Sequence, residues 1–458
     1  VAGKTIHNKG TMSVQKLFFA SVLILLVLVL FPASSHANTN WWHEGWIHRS
    51  PITLSSTTGS DALVKVSLNL KTLQQQANLT KAVQLQSLRV IDQQSQSVLT
   101  SQVVSTNETT GATELLVYVP GQFSTTLPYL YFDTHQGTSP LPQIPSLVTH
   151  QTEANYQGQE ALMIETPRST YAFQTKAGGL ASLIDKENKD WISFNRTAGS
   201  AGMYRGIPNL VHPGDIFHPG HSNADTTITK TGPLFIELTS TALSGSWETM
   251  WYFYPTSAHL KVTKTQAGAK YWFLYEGTPG GTISSTAGAM DKYVLSNGTS
   301  FNLTAIKEGD LPDPEWLYFQ DHALNRSLYF VHHQADTHPD RYSLMDNNMT
   351  VFGFGRGTGT TKYLTGTNSF TFGLVENKQH TTVSQAVTQH LNQPIGQLGT
   401  IEHATNPTVN ISPTPTMGSW DLNNNGKVDI FDWSHFVKGF GAAFSIQDIA
   451  KFISAFKP

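Results

Sequence analysis

A mainly β, multidomain architecture is predicted by three observations. Short segments rich in β-branched and aromatic residues recur along most of the 458 residues, separated by Gly, Pro, Asn and Asp. A convincing helical pattern occurs only over 382–391 in the large central region, so strands do not alternate with helices as a parallel α/β fold requires. Apolar side chains at helical spacing return only at the C-terminus, beyond a Thr/Pro-rich stretch. The predicted fold is an N-terminal β-sandwich, a large second sandwich and a small C-terminal α-helical module.

Taken in order, residues 1–37 read as upstream sequence followed by a secretory signal that starts at Met12. Lys16 precedes the apolar run 17–31, and small residues at Ser35 and Ala37 suit cleavage before Asn38. The run is short for a membrane span, which needs about 20 residues. An exported mature protein without a membrane span is expected, with an uncleaved anchor as the alternative. The chain has no cysteine, which excludes disulfides, lipoprotein attachment and thiolate chemistry. Charged residues make up 13% of it, against the usual ~25%, and the formal net charge is −3. Nucleic acid, which calls for clustered Lys and Arg, is an unsuitable partner. The composition fits an extracellular protein that meets neutral or weakly charged polymers.

Residues 38–137 open on the tryptophans Trp41, Trp42 and Trp46, and contain strand-like segments at 63–68, 87–92, 114–119 and 129–132. They are predicted to form an antiparallel sandwich. Residues 138–159 read as a linker, and 160–400 as the large sandwich. Its expected strands cover 171–174, 234–239, 249–254, 260–265, 271–275, 327–331 and 370–375. Within it, 178–191 reads as a hairpin: paired Gly178 and Gly179 allow a bulge, apolar residues alternate, and the Asp185-Lys186-Glu187-Asn188 run makes the turn. This Gly-Gly-x-x-x-Leu-x-Asp-Lys pattern resembles the strand pair of galactose-mutarotase-like sandwiches. The resemblance implies a fold used by polysaccharide lyases, some glycoside hydrolases and sugar epimerases.

The densest cluster of chemical groups is 204–221, with Tyr204, Arg205, His212, Asp215, His218 and His221 among prolines and glycines that exclude regular helix or central strand. Such loops on rigid scaffolds are where reactive groups tend to be displayed. In one reading His212, His218 or His221 takes a sugar-ring proton, a Tyr or His protonates the leaving oxygen, and Arg205 binds a carboxylate, which is β-elimination. In another, His212, Asp215, His218 and His221 hold a divalent metal. The competing structural reading is a stiff loop whose imidazoles bond to backbone. Glu276 closes the aromatic segment 271–275 and is a further candidate acid, base or hydroxyl acceptor, with Asp313 and Glu315 as possible partner carboxylates. His332 and His333 are adjacent, so on a strand at most one serves a given pocket, and 332–341 reads as a polar hairpin tip.

Residues 401–418 form a Thr/Pro linker and 419–458 the last module. Asp421, Asn423, Asn425, Lys427, Asp429 and Asp432 occupy the ligand positions of a calcium loop, Lys427 through its carbonyl, with Gly426 at the sharp turn. Asp432–Phe440 is echoed by Asp448–Phe456, each with Phe at i and i+4, so two packed helices are expected. The segment resembles a dockerin reduced to one Ca2+ loop, which implies a cohesin-like scaffold as partner. The whole reads as a secreted carbohydrate-active enzyme that cleaves a polysaccharide, by lyase chemistry ahead of hydrolysis. The alternative is a non-catalytic extracellular glycan-binding or surface-assembly protein.

Overall fold

The computed structural model describes residues 41–43, 45–55, 60–121, 128–134, 141–197, 206–214, 216–345 and 347–404. The signal-like segment, Tyr204, Arg205, Asp215 and the calcium loop with its helices lie outside the described residues. The compact unit Trp42–Pro407 carries everything that follows.

Seven strands open it: β1 His48–Leu54, β2 Ala62–Asn69, β3 Arg89–Asp92, β4 Val98–Leu99, β5 Ser101–Thr106, β6 Ala112–Val119 and β7 Pro128–Phe132. Four follow as a meander: β8 Thr149–Tyr156, β9 Gln159–Glu165, β10 Ser169–Gln174 and β11 Gly179–Asp185. Then come β12 Ala224–Lys230, β13 Ile236–Ala242, β14 Glu248–Phe253, β15 Ala258–Lys264, β16 Phe273–Gly277, β17 Lys292–Leu295, β18 Ser300–Asn302 and β19 Lys307–Gly309. The last are β20 Trp316–Gln320, β21 Ser327–His332, β22 Asp340–Met345, β23 Met349–Phe354, β24 Ser369–Val375, β25 Ile395–Leu398 and β26 Glu402–His403. The chain is mainly β and built as sandwiches, as its sequence predicts.

The N-terminal sandwich follows from alternation. In β2, Ala62, Val64, Val66 and Leu68 are buried at every second position, and they face Val90, Leu130 and Phe132 across one core. The first half of β1 pairs with β7, and its second half pairs with β25. β25 arrives from the far end of the chain and runs parallel to β2. Gly396 makes this possible, because a Cβ there would stand 2.7 Å from Ile52 and 2.9 Å from Val66. Residues 395–398, expected in the large sandwich, therefore lie in the first one. A four-residue strand carries no mark of its partner in its own sequence. Likewise Thr149–Tyr156, expected as linker, is an edge strand on β9 whose side chains are nearly all exposed. With no buried face it shows no apolar alternation to read.

The large sandwich has two antiparallel layers. One is the nine-stranded sheet β12-β13-β14-β15-β24-β21-β20-β17-β18. The other joins β8-β9-β10-β11 to β16-β23-β22-β19 through residues 206 and 207, which bridge Leu180 on one side and Glu276 on the other. Aromatic rings fill the space between the layers, with Phe273 stacked on Phe370 at 4.6 Å and Tyr275 on Phe330 at 4.7 Å. The helix His380–Leu391 covers the outer face of β20 and β21, with Val383 and Val387 packed on Trp316, Tyr318, Tyr329 and Val331.

The 178–191 hairpin forms, closed by the Asp185 amide on the Lys189 carbonyl and the Trp191 amide on the Leu183 carbonyl, but the bulge falls at Ala181 in the β10–β11 pairing and not at the paired glycines, where Gly179 pairs regularly with Gln174. Its Asp185 is fully buried, accepts from the Trp191 indole at 3.0 Å and meets the Arg326 guanidinium at 2.5 Å. Arg326 also binds Glu187 and Glu376, so one cation ties the hairpin to the ends of β21 and β24. Arg326→Met would strand the Asp185 carboxylate in the core. A loss of about 3–5 kcal/mol is expected in urea unfolding, as for other buried pairs broken from one side. An unchanged midpoint would show that the cation contributes nothing.

Candidate functional site

Residues 206–221 are built onto the sheet by glycines. The amide of Gly206 donates to the Glu276 carbonyl at 2.8 Å and the Glu276 amide returns a bond at 3.0 Å. The chain then leaves the sheet, turns at 211–216 and folds back over it. A Cβ on Gly178 would lie 2.6 Å from the Phe217 ring, and one on Gly179 would lie 3.0 Å from Pro219. At Gly206 an added Cβ would overlap the Pro219 ring itself. Three positions without side chains thus make the groove in which Phe217-His218-Pro219 sits.

This seating brings His218 to Glu276, with Nε2 3.1 Å from Oε2. The approach pairs the two groups without the alignment of a full hydrogen bond. His218 is 1% exposed and Glu276 12%. The His221 ring lies 5.6 Å from that of His218. Arg356 belongs to the same field: burial, reinforced by Arg341, pushes its guanidinium down to about 10, and Glu276 offsets part of that. His212 is exposed on the turn between Val211 and Ile216. Of the sequence candidates, His218, His221 and Glu276 converge. Glu315, proposed as a partner for Glu276, instead bonds His332 Nδ1 at 2.5 Å, while His332 Nε2 meets Asn368 at 2.9 Å. The 332–341 stretch is no mere surface tip, since His332 is a core residue at the end of β21.

A second candidate escapes sequence reading. A cavity of about 680 Å³ lies at the seam between the two sandwiches. Its floor is the outer face of the nine-stranded sheet, where Tyr252, His259, Lys261, Thr371 and Tyr329 alternate with core residues such as Trp251, Leu260 and Phe372. Register places His259 directly opposite Thr371. The Thr371 hydroxyl stands 2.9 Å from His259 Nδ1 and 2.8 Å from His333 Nε2, and the Tyr329 hydroxyl 2.7 Å from His390 Nε2. Loss of bulk water lowers His259 to about 3 and both His333 and His390 to about 4, helped at His259 by His333 and His390, at His390 by His333, and at His333 by His332. All three are neutral at pH 7. The seam wall is held by Arg168 on Asp61 at 2.7 Å and by Gln389 on Ser60. Burial raises the Asp61 carboxyl, but the Gly121 amide, Tyr118 and Arg168 together take it below its usual range. His259, His333 and His390 stand far apart in sequence, so no spacing motif could announce them. The alternation argument for His332 and His333 was the one usable signal.

No protein-family model matches the chain, and no curated protein matches it. Among solved structures, the protein HI1317 is similar at 10% identity and a TM-score of 0.35, over 50% of this chain and 99% of that one. A candidate mutarotase of Salmonella typhimurium, YeaD, is similar at 11% identity and 0.34, over 51% and 96%. The α-N-acetylgalactosaminidase NagBb of Bifidobacterium bifidum follows at 12% and 0.34, over 49% and 37%. Scores of this size carry no argument about what the chain does.

Two outcomes follow from the geometry. Gly206→Ala should lower stability by about 1–3 kcal/mol, because Pro219 must move to admit the methyl group, as in other overpacked sites. A thermal melt matching that of the native protein would contradict the seating described. The second concerns acid. Each seam imidazole takes up a proton on unfolding at any pH between its folded value and 6.5. Stability should therefore fall as pH drops from about 6.5 towards 4. The Asp340 carboxyl, which burial raises to about 8, opposes this by one proton, leaving a net uptake of about two. In His333→Gln the pH slope of the denaturation midpoint should shrink by about one proton. An unaltered slope would refute the neutral assignment.

Proposed function

We propose that this chain is an exported carbohydrate-active protein and that the seam cavity is where its described unit holds a glycan. The observation that carries this is the cavity's chemistry. Tyr252 and Tyr254 stack 6.1 Å apart beside hydroxyls, side-chain amides and three uncharged imidazoles. A neutral sugar needs such a mixture of ring faces with uncharged donors and acceptors. Imidazoles lowered this far are poor proton acceptors, so the cavity suits recognition better than ring-proton abstraction. Export and Ca2+ in the Asp421–Asp432 loop belong to the same proposal and rest on sequence alone.

Isothermal titration with a panel of neutral oligosaccharides tests it. At least one should bind, with Tyr252→Ala and His333→Ala each weakening it about tenfold, the size of one lost stacking or charge-neutral hydrogen-bond partner. Absence of binding across the panel would remove the proposal. Polysaccharide cleavage is a second reading, favoured by the convergence of His218, His221 and Glu276. It predicts unsaturated-product absorbance from a uronate polymer, abolished by His218→Asn and Glu276→Gln.

A further inference from the structure

Asp291, Asp321 and His322 form a cluster that neither function uses. Asp291 stands just ahead of β17, and the other two follow β20. Asp291 is 0% exposed and Asp321 4%. Two carboxylates so deeply buried ordinarily have cationic partners or a metal, because taking a charge out of water is costly. Among the described residues no Lys or Arg pairs with either one. The imidazole of His322 is the sole facing group, with Nδ1 2.9 Å from Asp291 Oδ1 and 3.9 Å from Asp321 Oδ2.

The carboxylates are held by backbone amides instead. Asp291 accepts from Ser284 at 2.7 Å and from the His322 amide at 2.8 Å. Asp321 Oδ1 accepts from Ala323 at 2.8 Å and Leu324 at 2.7 Å, which leaves Oδ2 directed at the cluster. Lys378 reaches the carbonyls of Asp321 and His322 at 3.2 and 3.0 Å and so secures the backbone rather than neutralising the acids. One oxygen from each carboxylate and Nδ1 all lie within 4.8 Å of one another. Ligands about 2.0–2.1 Å from a tetrahedral ion are separated by about 3.3 Å. The observed 2.9 and 3.9 Å from Nδ1 straddle that edge, so shifts of about half an ångström bring Nδ1 to tetrahedral spacing from both oxygens.

We propose that Asp291 Oδ1, Asp321 Oδ2 and His322 Nδ1 bind a divalent transition cation such as Zn2+. Asp321 and His322 also line an open cavity of about 460 Å³, which supplies room for a fourth ligand, water or a substrate oxygen. Lys292 on the same wall is exposed and available to an anionic group on that fourth ligand. Binding through Nδ1 moves the ring proton to Nε2, and a bond from each group to the ion takes the place of the His322–Asp291 hydrogen bond. The oxygen-only loop at Asp421–Asp432 suits Ca2+, so excess Ca2+ separates the two sites.

The test uses the full chain stripped with EDTA and returned to excess Ca2+, then titrated with Zn2+ and, for its visible absorption, Co2+. One equivalent of each should bind. His322→Gln and Asp321→Asn should weaken it about 100-fold or more, while Asp432→Asn leaves it unchanged. Thermal melts identify any variant that fails to fold, and His322→Gln, at a 36% exposed residue, keeps the test available. Equal Zn2+ affinity in His322→Gln and the native chain, or no binding by the native chain, overturns the proposal. Neither result bears on sugar binding at the seam, which is read out separately.

Discussion

The close seating of Pro219 on bare backbone at Gly206 and Gly179 is the contact on which the candidate site depends. Two four-stranded sheets, ending on β11 and β16, would otherwise each present an open edge. The two residues 206–207 fill that gap with paired amide bonds, 2.7 Å from Leu180 to Ile207 and 2.8 Å from Gly206 to Glu276. Because the rung carries no side chain at Gly206, the loop that leaves it can return directly above. The return delivers His218 to the outward side chain of Glu276, whose neighbours Phe273 and Tyr275 face the core. Sheet continuity and site geometry are one constraint here.

A second closure shapes the rest of the molecule. The chain crosses back after the helix and inserts β25 between β1 and β2. The N-terminal sandwich is thus completed by residues more than 260 positions beyond its other strands, and the large sandwich lies between its pieces (β7 ends at 132 and β25 begins at 395). Such a connection restricts how far the two sandwiches can separate. The seam between them consequently persists as a lined cavity.

How much of this the sequence disclosed depends on what each residue's neighbours are. Strands with one buried face were legible: 249–254 and 370–375 were expected and Glu248–Phe253 and Ser369–Val375 are found. The polar turn of 178–191 announced a hairpin, though its bulge lies at Ala181 and not at the paired glycines, and Pro and Gly marked 204–221 as a loop. Thr149–Tyr156 failed because an exposed edge strand leaves no alternating trace. Glu276 and His218 were suspected separately, but their meeting follows from the sheet rung at 206, which no local pattern encodes. The imidazoles of His259, His333 and His390 were illegible as a group, since each comes from a different element and only packing assembles them.

Burial drives both polar clusters on the nine-stranded sheet, yet it leads to opposite chemistry. At the seam the titratable groups are imidazoles, which escape desolvation by shedding a proton, and three of them do. What remains is a set of dipoles that neither attracts nor repels a net charge. At the β17–β20 end, Asp291 and Asp321 are instead met by four backbone amides. Amides orient such groups but add no countercharge, so the negative field there is left facing His322. The same sheet therefore carries one surface lined by uncharged imidazoles and one pocket lined by buried carboxylates. The difference lies in whether burial meets a group that can discharge itself or one that backbone amides hold by hydrogen bonds.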